Sequence, residues 1–136
     1  MAEASKDFEV VIFTASHKSY ADAVLDYLDP KNEYIHHRLY RDHCIMINGM
    51  HVKDLRVLGN RKVGNIIIID NTVHSFAFHI DNGIPIITWH NDRYDRELFK
   101  LIDYLKLLAT SVDIRETNRQ TFKLQTFYED FISKEN

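Results

Sequence analysis

A single cysteine, Cys44, stands in 136 residues, so no internal disulfide framework exists. The chain therefore suits a reducing intracellular compartment, and nucleus, cytoplasm or a mitochondrial complex would all serve. Proline and glycine are scarce, at two and four residues, and neither a low-complexity segment nor an internal repeat is present. The longest apolar run falls far short of a membrane span, and Met1 to Asp7 lack the charged-then-apolar layout of a signal peptide. No direct insertion into a membrane is expected. Basic residues are outnumbered, 17 against 20 acidic, and they gather on no helix face, so a nucleic-acid partner is not expected either.

What the chain does have is core-forming material: 45% of its residues are hydrophobic and 12% aromatic. That supports one core and is too little for two, so residues 1–136 are read as a single domain. The most apolar stretch is Asn65 to Asn71, with four consecutive isoleucines. Isoleucine on successive positions leaves no polar face, which predicts a strand covered on both sides, as in a parallel sheet flanked by helices. Ligands of such sheets bind past the carboxyl ends of the strands. Here that end carries Asp70 and Asn71, the first candidates for chemistry.

Phe8 to Thr14 reads as a second buried strand. Ser16 is then the expected N-cap of a helix with apolar positions Ala21, Val24, Leu25 and Leu28, ending at Asp29-Pro30. Residues 36 to 53 read as antiparallel, because Ile45-Met46-Ile47 and Met50-His51-Val52 flank Asn48-Gly49, a pair suited to the positive φ of a two-residue hairpin turn. The hairpin delivers Lys53 at its exit. Asp54 to Leu58 reads as a short helical stretch, and Ser75 to Phe78 as a helical turn. Ile84 to Ile87 reads as a strand whose Pro85 argues for a sheet edge. A helix is expected from Asp92, with Leu98, Leu101, Ile102, Leu105 and Leu108 on one stripe, and a last helix over about 114–132. Singly, Thr14 and Ser16 suit a helix cap and Lys53 a solvated lysine. None of the eight histidines shows the spacing of a helical zinc site, and Cys44 reads as inert packing in an apolar strand.

Several fragments then occur in a telling order: Phe13-Thr14-Ala15-Ser16, Tyr20-Ala21-Asp22, Leu39 to Cys44, Val52-Lys53-Asp54-Leu55, Ile69-Asp70-Asn71, Phe78-His79 with Asn82, Ile84-Pro85-Ile86 and Asp95-Arg96-Glu97-Leu98. This order resembles the phosphatases of the RNA polymerase II carboxy-terminal domain, most of all their small-phosphatase branch within the haloacid dehalogenase superfamily. The resemblance runs from about residue 8 to about residue 120. It implies an α/β class and a three-layer, Rossmann-like fold with a β-hairpin insertion, and an ancestry among Mg²⁺-dependent protein serine/threonine phosphatases that work through an aspartyl-phosphate. Thr14, with Ala15 and Ser16, matches the segment that holds a phosphoryl oxygen, and Lys53 the lysine that stabilises the phosphate. Arg41 matches an arginine on the phosphate side of the cleft. Asp70 and Asn71 match the acidic segment that completes the magnesium shell. His79 matches a family position and is expected to order the loop after Phe78.

Against that resemblance, no Asp-x-Asp occurs in the 136 residues. In the family that motif sits on the first central strand and supplies the nucleophile, the general acid and a metal carboxylate. Magnesium binding is weakened accordingly, and the chain as written is expected not to turn over phosphoesters. Thr72-Val73 replaces the usual Ser-Pro, and His17 stands at a usually apolar position beside the substrate groove. Lacking the first strand, those at 8–14 and 66–70 would keep unpaired edges. Three arrangements follow: a truncated or degenerate domain packed against protein partners, direct pairing of the two strands, or a strand donated by another polypeptide, which would make this one half of a split phosphatase. A non-catalytic interaction module is the alternative function, and the family offers a precedent in the receptor subunit of the mitochondrial inner-membrane import translocase.

Overall fold

Three pairs of short strands carry the fold in the computed structural model, which describes residues 1–127 and Glu129. The first pair is parallel: β1 (Val11–Phe13) lies beside β2 (His37–Leu39), with Ile12 opposite Arg38. Helix α1 (Lys18–Leu28) makes the crossover between them. The reading of residues 36 to 53 as wholly antiparallel is therefore corrected at its start. The cause lies in the return loop, where the buried Asp29 carboxylate accepts backbone N–H bonds from Glu33, Tyr34 and Ile35, each at 2.9 Å. Burial opposes ionisation of Asp29, yet these three donors outweigh it and its pKa is lowered. The turned chain enters β2 alongside β1.

The second pair is the hairpin expected from Asn48-Gly49. β3 (Ile45–Ile47) and β4 (Met50–Val52) are antiparallel, and the turn residues have φ of 48° and 80°. Past Lys53, Asp54 caps a 3₁₀ turn over Leu55–Val57, taking the N–H of Arg56 at 3.0 Å.

The third pair is parallel and built on the isoleucines: β5 (Ile68–Asp70) beside β6 (Gly83–Pro85). Ile66 and Ile68 pack with Leu55 and Phe76 on one face, while Ile67 and Ile69 join Ile84, Leu108 and Ile114 on the other. Both faces are covered, as the sequence requires. The ordered strand is shorter than the apolar run, since Val63–Asn65 form a 3₁₀ turn. Among the described residues β6 has β5 as its one strand neighbour, so Pro85 stands on an edge. Between β5 and β6 the chain runs through 3₁₀ turns over Val73–Asn82, longer than the helical turn expected at Ser75 to Phe78. The buried Asn82 amide ties that segment down, donating to the carbonyls of Val63 and Ile66 at 2.7 and 2.8 Å.

The expected helix from Asp92 starts later and in two pieces, α2 (Glu97–Lys100) and α3 (Ile102–Ala109). Asp92 and Asp95 instead take the N–H of Tyr94 and Glu97, two residues on, which favours turns over a helical first turn. Leu101, Leu105 and Leu108 face the core, whereas Leu98 is exposed. In α1 only Ala21 and Leu25 are buried; Val24 and Leu28 are exposed. Helix α4 (Ile114–Phe122) is capped by Asp113 and interrupted at Lys123, whose φ is 53°. Residues 124–127 are helical again; residue 128 and residues 130–132 of the expected last helix lie outside the described residues. Among the described residues, no helix is long and apolar enough to cross a membrane.

The described residues thus form a mixed α/β structure in which β1–β2, β3–β4 and β5–β6 are separate two-stranded ladders. β1 and β5 are not paired with each other.

Candidate functional site

The carboxyl end of β5 and the exit of the hairpin meet in one ion pair. Lys53 Nζ lies 2.5 Å from Asp70 Oδ2, and the two side chains are 12% and 6% exposed. Each is positioned by its backbone: the Lys53 N–H donates to Ser75 O at 2.7 Å, and the Asp70 carbonyl accepts from Ile86 N at 3.1 Å. The other carboxylate oxygen of Asp70 takes the N–H of Thr72 at 2.8 Å. Desolvated charges attract far more strongly than solvated ones, so this pair holds two segments 17 residues apart. Beside it, the Asn71 amide donates to Thr88 Oγ1 at 3.0 Å, fastening the strand end to the segment after β6.

At the end of β1 the 14–16 loop is shaped from within and clamped from outside. Thr14 N donates to Leu39 O at 2.9 Å, while Thr14 Oγ1 accepts from Ser16 N at 3.0 Å. Arg41 Nε donates to Ala15 O at 2.6 Å, its Nη1 lies 2.9 Å from His17 Nε2, and its backbone N–H donates to Ser16 O at 3.1 Å. Ser16 is thus not the N-cap of α1. His17 takes that position and makes no side-chain cap bond, while the Ser16 N–H is turned back to Thr14 Oγ1.

Cys44 lies beside the end of β1. It sits at the end of a 3₁₀ turn over Arg41–His43, not in a strand, and its Sγ lies 4.0 Å from Thr14 O and 3.9 Å from Tyr40 O. Burial pushes the thiol pKa up, Lys53 and Arg41 pull it back, and Asp70 adds to the rise. A thiol held protonated is poorly nucleophilic. His79, expected to order its loop, bonds through Nε2 to Asp54 Oδ1 at 3.0 Å.

The donor set does not by itself fit a magnesium ion. Both oxygens of Asp70 are engaged by hydrogen-bond donors, one of them a cation, and Asn71 offers one amide oxygen. Among the described residues, no three His, Cys, Asp or Glu side chains are grouped to hold a metal.

The ion pair and Asn71 form part of an open cleft of about 550 Å³ whose other lining includes Ile87, Thr88, Trp89, Asp95 and Leu98. Those residues were not among the sequence candidates. Trp89 and Leu98 are 61% and 62% exposed; Trp89 belongs to no periodic pattern, and Leu98 falls on a helical stripe that marks core packing and not a cleft wall.

Residues 1–115 match the family model described as NLI interacting factor-like phosphatase, and the chain belongs to that family. It is 46% identical to CTD small phosphatase-like protein 3 of Caenorhabditis elegans over 126 residues, 92% of this chain and 44% of that protein. It is 48% identical to CTD small phosphatase-like protein 2 of Dictyostelium discoideum over 117 residues, 86% and 20% respectively. To the human CTD small phosphatase-like protein the identity is 41% over 107 residues, 79% and 38%. The chain spans less than half the length of each of these relatives.

Proposed function

We propose that this polypeptide is a phosphatase-family domain that binds a phosphorylated side chain but does not hydrolyse it unaided. The observation that carries the reading is the buried Lys53–Asp70 pair at the end of β5; the 14–16 loop at the end of β1, clamped by Arg41, supplies the second group of donors. Lys53 spends one of its three N–H donors on Asp70, Thr14 accepts through Oγ1 and keeps its own proton to donate, and Arg41 Nη2 has no partner among the described residues. Together they offer a point charge, a hydroxyl and a guanidinium edge to a tetrahedral anion. A covalent route needs a carboxylate free to attack, and Asp70 is held by Lys53 and Thr72. In the 136 residues no Asp-x-Asp supplies another.

A second reading, an interaction module completed by a strand from another polypeptide, is favoured by the sheet edges. Thr14 N bonds Leu39 O and Asp70 O accepts from Ile86 N, so by the alternation of a parallel ladder the N–H and C=O of Val11, Phe13, Ile67 and Ile69 point away from the paired strands. Rows of this kind are templates for strand addition.

The test is phosphate release from a phosphoserine peptide by the 136-residue chain with Mg²⁺, alone and with a peptide carrying Asp-Leu-Asp-Glu-Thr. Binding without turnover is expected, and Thr14→Val should weaken that binding severalfold. Turnover by the chain alone overturns the inactive reading; turnover restored by the added peptide selects the split enzyme.

A further inference from the structure

The remaining wall of the cleft carries chemistry that an anion site does not use. Trp89, Ile87 and Leu98 stand exposed along it, an apolar surface beside a polar floor. The indole Nε1–H of Trp89 donates to Asp92 O at 2.8 Å, inside its own loop. Its one polar atom is satisfied, so the ring offers the cleft only its π surface. The charges decide what that surface suits. Lys53 and Asp70 neutralise each other, and Lys100 holds Glu97 at 2.5 Å. Asp95 accepts the N–H of Glu97 at 3.0 Å and has no cationic partner among the described residues. The neighbouring Arg96 guanidinium lies 4.7 Å from the centre of the Phe99 ring. Lys100 also acts on Asp95 through space, but no cation makes an ion pair with it among the described residues, so the wall is left with an anchored indole and a carboxylate open to a direct counter-charge.

We propose that this wall of the cleft receives the arginine or lysine side chain of a peptide, stacked on Trp89 with Asp95 as its counter-charge. A cation over an indole is the strongest of the cation–π pairings, and a guanidinium also matches the planar ring. The apolar stem of such a side chain would lie along Ile87 and Leu98. This assignment does not depend on phosphate binding at Lys53.

Trp89 is the one tryptophan of the chain, so its fluorescence reports on this wall alone. Titrating the full chain with a blocked Gly-Ser-Arg-Ser-Gly peptide is expected to give a saturable change, with the citrulline analogue binding about tenfold weaker. Asp95→Asn, which keeps the oxygen that caps Glu97, should cost severalfold, and added salt should weaken the wild-type chain more than this variant. Trp89→Leu, followed by calorimetry with circular dichroism to verify folding, should lose about tenfold. Equal binding of the arginine and citrulline peptides overturns the proposal. So does tighter binding of an arginine-free phosphoserine peptide at this tryptophan.

Discussion

Lys53 and Asp70 show what one residue can carry. Both side chains are largely withdrawn from water and 2.5 Å apart, so either alone would be a desolvated charge. Lys53→Met is expected to cost about 3 kcal/mol in urea unfolding, because Asp70 is left buried without its cation. The double variant Lys53→Met with Asp70→Leu should lose distinctly less, since no charge then remains to desolvate. A double variant as unstable as the single one would contradict this account. The sequence made both residues candidates, by strand-end position and by family resemblance, but not their contact. Thr14, Ala15, Ser16 and Arg41 were likewise legible as candidates. Their bonding was not: Arg41 grips Ala15 O and His17, partners 26 and 24 residues away.

At the scale of elements, two cores flank β5, and the one below it is closed by contact between β6 and the 3₁₀ segment. Phe76 is 0% exposed, and a Cβ added at Gly83 would fall 2.0 Å from its Cε2 atom. Gly83 has a φ of −91°, so its need for glycine is spatial and not conformational. Gly83→Ala is expected to destabilise by about 1–3 kcal/mol, read as a lower urea midpoint with unchanged slope. An unchanged midpoint would show that the ring can move aside. The hairpin and the doubly covered isoleucines follow from local rules of turn conformation and side-chain alternation. The parallel course of β2 does not, because it is set by Asp29 reaching three N–H groups up to six residues on. Asp92 and Asp95, by taking the N–H of the residue two on, likewise moved the helix start away from the one expected at Asp92.

For the whole molecule, the acid side of the stability curve is set by carboxylates tied to cations. Hydrogen bonds from Arg61 hold Glu9 down to about 2 from 4.5, and Arg115 holds Asp113 down to about 2 from 3.8. Arg56 lowers Asp54 in the same direction, with His79 assisting, and Lys18 lowers Asp22. A carboxyl whose pKa is lower folded than unfolded stabilises above the unfolded value and loses that contribution as pH falls through the folded one. The thermal midpoint should therefore hold steady above about pH 4.5 and decline towards pH 2. Arg61→Ala should make the decline shallower, and its effect should shrink in high salt because Glu9 and Arg61 are partly exposed. A midpoint that rises on acidification would refute this.

The turn at Asn48-Gly49, the strand hidden on both faces, the edge position of Pro85 and the membership of a phosphatase family are legible from the order of residues alone. Each of these acts through covalent neighbours or through an ordered set of fragments, and so is written locally. That Lys53 neutralises Asp70, that Arg41 clamps the 14–16 loop, and that Trp89 and Asp95 stand on the wall of the same cleft emerges only on folding. Those outcomes depend on side chains brought together from distant positions and on which of them lose their water, and neither is recorded in the order of residues along the chain.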